Sequence, residues 1–254
     1  MSKYQQQIEN EIALRGTMTV AELSELLGVS DQTIRRIVKP LEESGKVQKV
    51  HGAIKSVENP MTAPFQTRML HNRRAKAELA SKLVELIEDG QSLAIDTGST
   101  AGFVAHALKA KRNLTVVTNS AYVASTLSMK SGNRVFMAGT QLRDHDGASF
   151  DRTAFETIER MQVDSCILTV GQVHPERGFL VHEQCEADIA KAMSSIAGTT
   201  VFAIDHSKFL PEPATGMVAI SGLTSKPKIV TDLPLPASHL RLLKEAELFV
   251  AKSS

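Results

Sequence analysis

Two groups of residues in this 254-residue chain have types and spacings that could do chemistry. The first lies between residues 30 and 51. Ser30, Gln32, Thr33, Arg35, Arg36 and Lys39 fall on or near the opening turns of one helical pattern, and Lys49 and His51 follow shortly after. Basic side chains so close together suit a phosphate backbone, and Gln or Arg on an exposed helix can read base edges. From residue 31 to 55 there are six Lys and Arg against three acids. The whole chain carries 29 basic against 28 acidic residues, so this excess is local.

The second group is spread in sequence. Asp96-Thr97-Gly98-Ser99-Thr100, Thr118-Asn119-Ser120, Gly139-Thr140, Gly171-Gln172 and Asp205-His206-Ser207-Lys208 each follow a short apolar run. Small hydroxyl residues that open a helix leave its first amides free for an anion. Gly98, Ser99 and Thr100 form one such opening and Asn119 with Ser120 another, while Lys208 and Arg143 add full charge. Asp96 and Asn119 could hold hydroxyl groups. The inventory suits a phosphorylated sugar or polyol. For any one loop a plain helix cap explains the residues; it is five loops together that point to a ligand site.

The elements needed to position the first group are clearly punctuated. Ile8, Ile12 and Leu14 mark a first helix closed by Arg15-Gly16. Thr19-Val20-Ala21-Glu22 has the spacing of a capping box, followed by Leu23, Leu26 and Leu27 and a stop at Gly28. Ser30 caps a second helix whose stripe is Ile34, Ile37, Val38 and Leu41. Two short helices around a glycine turn make a helix-turn-helix. Pro40 falls inside that stripe, so a kink or two shorter pieces are expected there. Residues 46–57 predict a hairpin, or wing, around His51-Gly52, with Lys49 and His51 at phosphate or minor groove.

For the second group, residues 73–89 predict an amphipathic helix with Leu79, Leu83, Leu86 and Ile87 inward. Strands are expected at 92–95, 114–117, 134–138, 166–170, 200–204, 228–230 and 248–250. Strands alternating with helices argue for a mostly parallel α/β sheet, whose carboxyl edge binds ligands. The division expected is 1–57 for a winged helix-turn-helix DNA-binding domain, 58–72 for a linker that carries the signal, and 73–254 for an effector-binding α/β domain.

Composition excludes other classes. A 42% hydrophobic and 22% charged share is that of a globular protein. With no Trp and only two Tyr, base stacking and an aromatic sugar platform are both poorly supplied. Cys166 and Cys185 form no CxxC pair and are expected as reduced thiols in the cytoplasm. No apolar run reaches the length of a membrane span. His174, His182, Cys185 and His206 match no tight zinc spacing, so no metal and no cofactor is expected.

The segments Val29-Ser30-Asp31-Gln32-Thr33-Ile34-Arg35-Arg36, Lys49-Val50-His51-Gly52-Ala53, Asp96 to Thr100, Val117 to Ser120 and Asp205-His206-Ser207-Lys208-Phe209 resemble the DeoR family of bacterial sugar-metabolism regulators. The likeness runs in order over nearly the whole chain. It implies a winged helix-turn-helix joined to a sensor domain similar to ribose-5-phosphate isomerase and CoA transferases. It implies repression of a carbohydrate-utilisation operon, relieved by a phosphorylated sugar. It also implies that Asp96 to Thr100, Asn119, Ser120, Gly139, Arg143 and Lys208 line the effector site. The partners expected are double-stranded operator DNA, the effector and further copies of the chain, as a dimer or tetramer on repeated half-sites. The competing reading is a sugar-phosphate isomerase, with Asp96 or Glu183 as base and Lys208 as electrophile. A plain oligomerisation protein is a third.

Overall fold

The computed structural model describes residues 3–15, 17–43, 47–50, 53–56, 65–211, 216–224, 226–244 and 246–251. Gly16, Lys46, His51, Gly52 and residues 58–64 of the expected linker therefore lie outside the described residues. The chain forms two compact units, Met1–Arg68 and Met69–Ser254.

The first unit contains α1 (Lys3–Arg15), β1 (Thr17–Thr19), α2 (Val20–Leu27), α3 (Asp31–Glu43), β2 (Val47–Val50) and β3 (Ala53–Ser56). Thr19 and Glu22 form the capping box that starts α2: the Thr19 hydroxyl accepts the Glu22 amide, and Glu22 accepts the Thr19 amide at 2.7 Å. Gly28 ends the helix at φ +63°, a conformation costly for a side chain with a Cβ. Ile8, Ile12, Met18, Leu23, Ile34, Val38, Leu41, Val47 and Ile54 make the core.

Three details depart from expectation. Leu26 is exposed, because a two-turn helix buries only the Leu23 side, with Leu27 packed partly against it. The α3 helix runs unbroken through Pro40. Pro40 and Arg36 are both exposed, so the carbonyl left without its amide partner can be solvated. Strand β1 was not foreseen. Its three residues alternate out, in, out around Met18, and they pair antiparallel with β3, making the wing a three-stranded sheet in the order β1-β3-β2.

The boundary between the units passes through α4 (Phe65–Leu70), a helix inside the stretch expected to be linker. The second unit then runs α5 (Arg73–Val84), β4 (Ser92–Ile95), α6 (Ser99–Leu108), β5 (Thr115–Thr118), α7 (Ala121–Ser128), β6 (Arg134–Met137), α8 (Arg152–Glu159) and β7 (Val163–Leu168). It continues with β8 (Gln172–His174), β9 (Gly178–Val181), α9 (Gln184–Ser195), β10 (Ala197–Ala203), β11 (Val218–Ala219), β12 (Lys228–Thr231) and β13 (Glu247–Val250). Helix α5 is shorter than 73–89, since residues 85–87 tighten into bonds three residues back.

Seven strands form one sheet in the order β13-β12-β10-β7-β4-β5-β6, every pair parallel. Leu93, Ile95, Val116, Ile167 and Val201 face one core with Leu79, Leu83 and Val104. Their neighbours Ala94, Val117, Cys166, Leu168 and Phe202 face the other, with Ile158, Ile189 and Met193. Both faces are thus covered by helices, as an all-parallel sheet requires. A small antiparallel sheet, β11-β9-β8, was not foreseen. It is joined to the main core by Phe179, stacked on Phe202 at 3.9 Å between centroids.

Candidate functional site

On the first unit, Gln32, Arg35, Arg36 and Lys39 are exposed on α3. Ile34, Val38 and Leu41 anchor the opposite side in the core. Arg35 and Arg36 have no ion-pair partner among the described residues, while Lys39 sits 3.9 Å from Glu43. Ser30 is committed to the helix start: its hydroxyl accepts the Thr33 amide and meets the Thr33 hydroxyl at 3.0 Å. Lys49 is held by Glu42 at 2.6 Å, so reaching a phosphate requires exchanging that partner. His51 lies outside the described residues.

On the second unit, the parallel sheet places all five expected loops along one edge. The order of the strands reverses between β4 and β7, and it is at such a switch point, beyond the strand carboxyl ends, that open parallel sheets take their ligands. Asp96 and Thr169 meet there. The Thr169 amide points to Asp96 at 3.5 Å, and its hydroxyl donates to the Thr97 carbonyl at 2.8 Å. Strand spacing decides what one ligand can reach. Gly139 follows β6 and Asp205 follows β10, four strands apart, or about 19 Å. A small metabolite centred at Asp96 spans the middle of that range, not both ends.

One half of the crevice is acidic. Asp96 is buried, and burial pushes its carboxyl up to about 7, with the charges of Glu186 and Asp146 adding to the shift. Arg143 balances this group. It contacts Asp146 at 2.6 Å, Glu186 at 3.1 Å and Glu183 at 3.3 Å, and lies over the Phe150 ring at 4.0 Å. Burial works against its charge, but Asp146 and Glu186 outweigh it and hold the guanidinium protonated. Arg143, expected to add charge for the ligand, is thus already engaged by three carboxylates. Its Nη1, held near Glu183 without a formed hydrogen bond, leaves one donor for a ligand.

The other half is cationic. Lys76, on α5 and only 4% exposed, donates from Nζ to the Ser99 hydroxyl at 3.0 Å and to the His71 carbonyl at 2.8 Å. Burial raises the carboxyl of Asp205, but Lys208, Ser207 and Lys76 together hold it below the usual carboxylate range. Asn72 donates to Asp205 at 3.2 Å and to the Ser207 hydroxyl at 2.9 Å. Helix α6 opens between these groups at Ser99 and Thr100, both buried. Its Ncap, Gly98, has no capping side chain and adopts φ +111°, so the first amides stay without a protein cap.

Several atoms at this edge are buried without a hydrogen-bond partner among the described residues: Thr97 Oγ1, Asn119 Oδ1, Ser149 Oγ and Asp205 Oδ2. Such groups are costly in a dry interior and mark places where a polar ligand or water completes the structure. Asn119 is otherwise fixed through its amide on the Ser149 carbonyl at 3.1 Å. Ser120 is used as the N-cap of α7. Gly139 answers to packing: a Cβ there would lie 1.9 Å from Ser149 Oγ. Among the described residues, no group of three His, Cys, Asp or Glu side chains is placed to hold a metal ion.

Sequence reasoning passed over Lys76, Asn72 and Asp146. Lys76 left a signal: it falls in register with Leu79, Ala80 and Leu83, a lysine inside an apolar stripe.

Two family models cover the chain. One, described as the DeoR-like helix-turn-helix domain, matches residues 5–59, and the other, the DeoR C terminal sensor domain, matches 71–233. The chain belongs to the DeoR family. It is a DNA-binding transcription regulator of that type. It is 30% identical to the glycerol-3-phosphate regulon repressor of Escherichia coli (strain K12) over 91% of this chain and 90% of the relative. It is 28% identical to the transcriptional repressor CsqR of the same strain, over 93% and 90%. Ribose 5 phosphate isomerase A from Neisseria gonorrhoeae superposes on 53% of this chain and 52% of its own, with TM-score 0.40 and 20% identity. No described helix is long and apolar enough to cross a membrane.

Proposed function

We propose that this DeoR-family member represses a carbohydrate-utilisation operon and senses a phosphorylated sugar or polyol at the β4–β7 crevice. The observation that carries this reading is the pairing of two unlike halves there. The uncapped start of α6, with Lys76 on Ser99 and Lys208 near Asp205 at the same sheet edge, suits a phosphate. Asp96 and the unpartnered Asn119 Oδ1 suit hydroxyl groups. Lys208 follows β10 and Asn119 follows β5, three strand spacings or about 14 Å apart, with the start of α6 and Asp96 between them after β4. The printed names of relatives, a glycerol-3-phosphate regulon repressor among them, support the same class of ligand.

The chain acts as a binding protein in the cytoplasm rather than as a catalyst. It meets operator DNA as a dimer or tetramer through Gln32, Arg35, Arg36 and Lys39, with Lys49 exchanging Glu42 for phosphate. One observation favours the isomerase alternative: Asp96 titrates near neutrality, as a general base would.

A thermal-shift screen of the full chain against triose, pentose and hexose phosphates, followed by operator binding with each hit, tests the proposal. A hit that raises the melting temperature and releases operator DNA supports it. No hit in the panel, or turnover of the hit, overturns it.

A further inference from the structure

The crevice and the start of the sensor unit share side chains. Met69 is the first residue of that unit, and the α4–α5 turn at His71-Asn72 begins two residues later. Among the described residues, two sets of hydrogen bonds fasten this turn to the ligand edge. Lys76 Nζ bridges the His71 carbonyl and the Ser99 hydroxyl. Asn72, in the left-handed region at φ +50°, extends its amide to Asp205 and Ser207. Asn72 stands at the N-cap of α5, where its side chain makes no capping bond, while its Nδ2 donates to Asp205 and Ser207.

From this we infer that Lys76 is the ligand-responsive residue of the sensor: a phosphate at the start of α6 takes Lys76 Nζ from the His71 carbonyl and loosens the His71-Asn72 turn. An ammonium 3.0 Å from Ser99 is within reach of an anion on the α6 amides. An anion is a stronger acceptor for it than a neutral carbonyl. Asn72 stays on Asp205 and Ser207, so the turn is then held by one of its two described fastenings instead of both. The residues that change lie where the chain enters from the DNA-binding unit, in sequence between the two functions.

This inference rests on the phosphate reading of the crevice, and hydrogen exchange of the full chain separates the two. Amide exchange is followed with and without inorganic phosphate, in wild type, Asn72→Ala and Lys76→Met. The expectation is slower exchange at Ser99 and Thr100 with phosphate, and about tenfold faster exchange over residues 71–76, the effect of losing one charge-assisted hydrogen bond. Asn72→Ala should exchange quickly over 71–76 even without phosphate. Lys76→Met should lose the response to phosphate; because that variant buries an altered side chain, the wild-type comparison stands by itself if it fails to fold. Protection at 99–100 with no change at 71–76 overturns the inference and keeps the crevice reading. No protection anywhere overturns both.

Discussion

Asp96 gives the sharpest quantitative prediction, because a carboxylate buried beside two others is held at the expense of stability. Its carboxyl stands at about 7 in the folded chain against an ordinary 3.8. Burial is the largest cause, and Glu186 and Asp146 add to it. Between those two values the folded state keeps a proton that the unfolded state has released. Stability therefore falls as the pH rises from about 4 to about 7 and is flat above. At about 1.4 kcal/mol per unit, the penalty at pH 8 is about 4 kcal/mol. Asp96→Asn removes the titration. The amide oxygen can still accept the Thr97 or Thr169 amide, but the new donor must find an acceptor, so the net gain is about 2–4 kcal/mol at pH 8. The check is denaturant unfolding of both proteins at fixed concentration, at pH 8 and pH 5. Asp96→Asn should be the more stable at pH 8, with its advantage more than halved at pH 5, and should bind the effector more weakly. An advantage independent of pH, or a less stable variant at pH 8, would refute the raised carboxyl of Asp96 at this buried position.

Other outcomes are specific to single side chains. Lys208→Ala should weaken binding of the effector about 10- to 100-fold by calorimetry, the loss of one charge-assisted bond, and leave operator affinity within about twofold. Arg35→Ala should lose about 1–3 kcal/mol of operator affinity and relax specificity in competition gel shifts, with effector binding unchanged. Glu42→Gln should free Lys49 and steepen the salt dependence of DNA binding by about one unit of slope in anisotropy titrations. Cys166 is buried, with its thiol pushed up to about 11, and should resist thiol reagents at pH 8 until the chain unfolds.

What could be read in the sequence is what depends on near neighbours. Thr19, Glu22, Gly28 and Ser30 act within one turn of themselves, so the helix-turn-helix was legible from spacing alone. The parallel sheet was legible because each strand is a short apolar run followed by small polar residues. What escaped depends on distant partners. Arg143 read as a charge offered to the ligand, but Glu183 and Glu186, some forty residues on, close around it together with the nearby Asp146. Gly139 looked like a ligand loop, but Ser149 fills the space its side chain would need. Strand β1 is three residues long and exists because β3 offers it an edge. The β8–β9 hairpin carries no turn signal of its own beyond Gly178, which takes φ +73°. Lys76 was visible as a misfit in an apolar stripe, and only the fold shows that it ends on Ser99.

Whether the start of α6 and two lysines grip an anionic metabolite is decided by a crystal structure of the full chain with the phosphorylated hit from the screen. The phosphorus should lie beside the Ser99 and Thr100 amides, with Lys76 and Lys208 on its oxygens and hydroxyl groups towards Asp96 and Asn119. A phosphate bound elsewhere, or a ligand seated at this crevice with its phosphate towards Asp96 and Glu186, would contradict it.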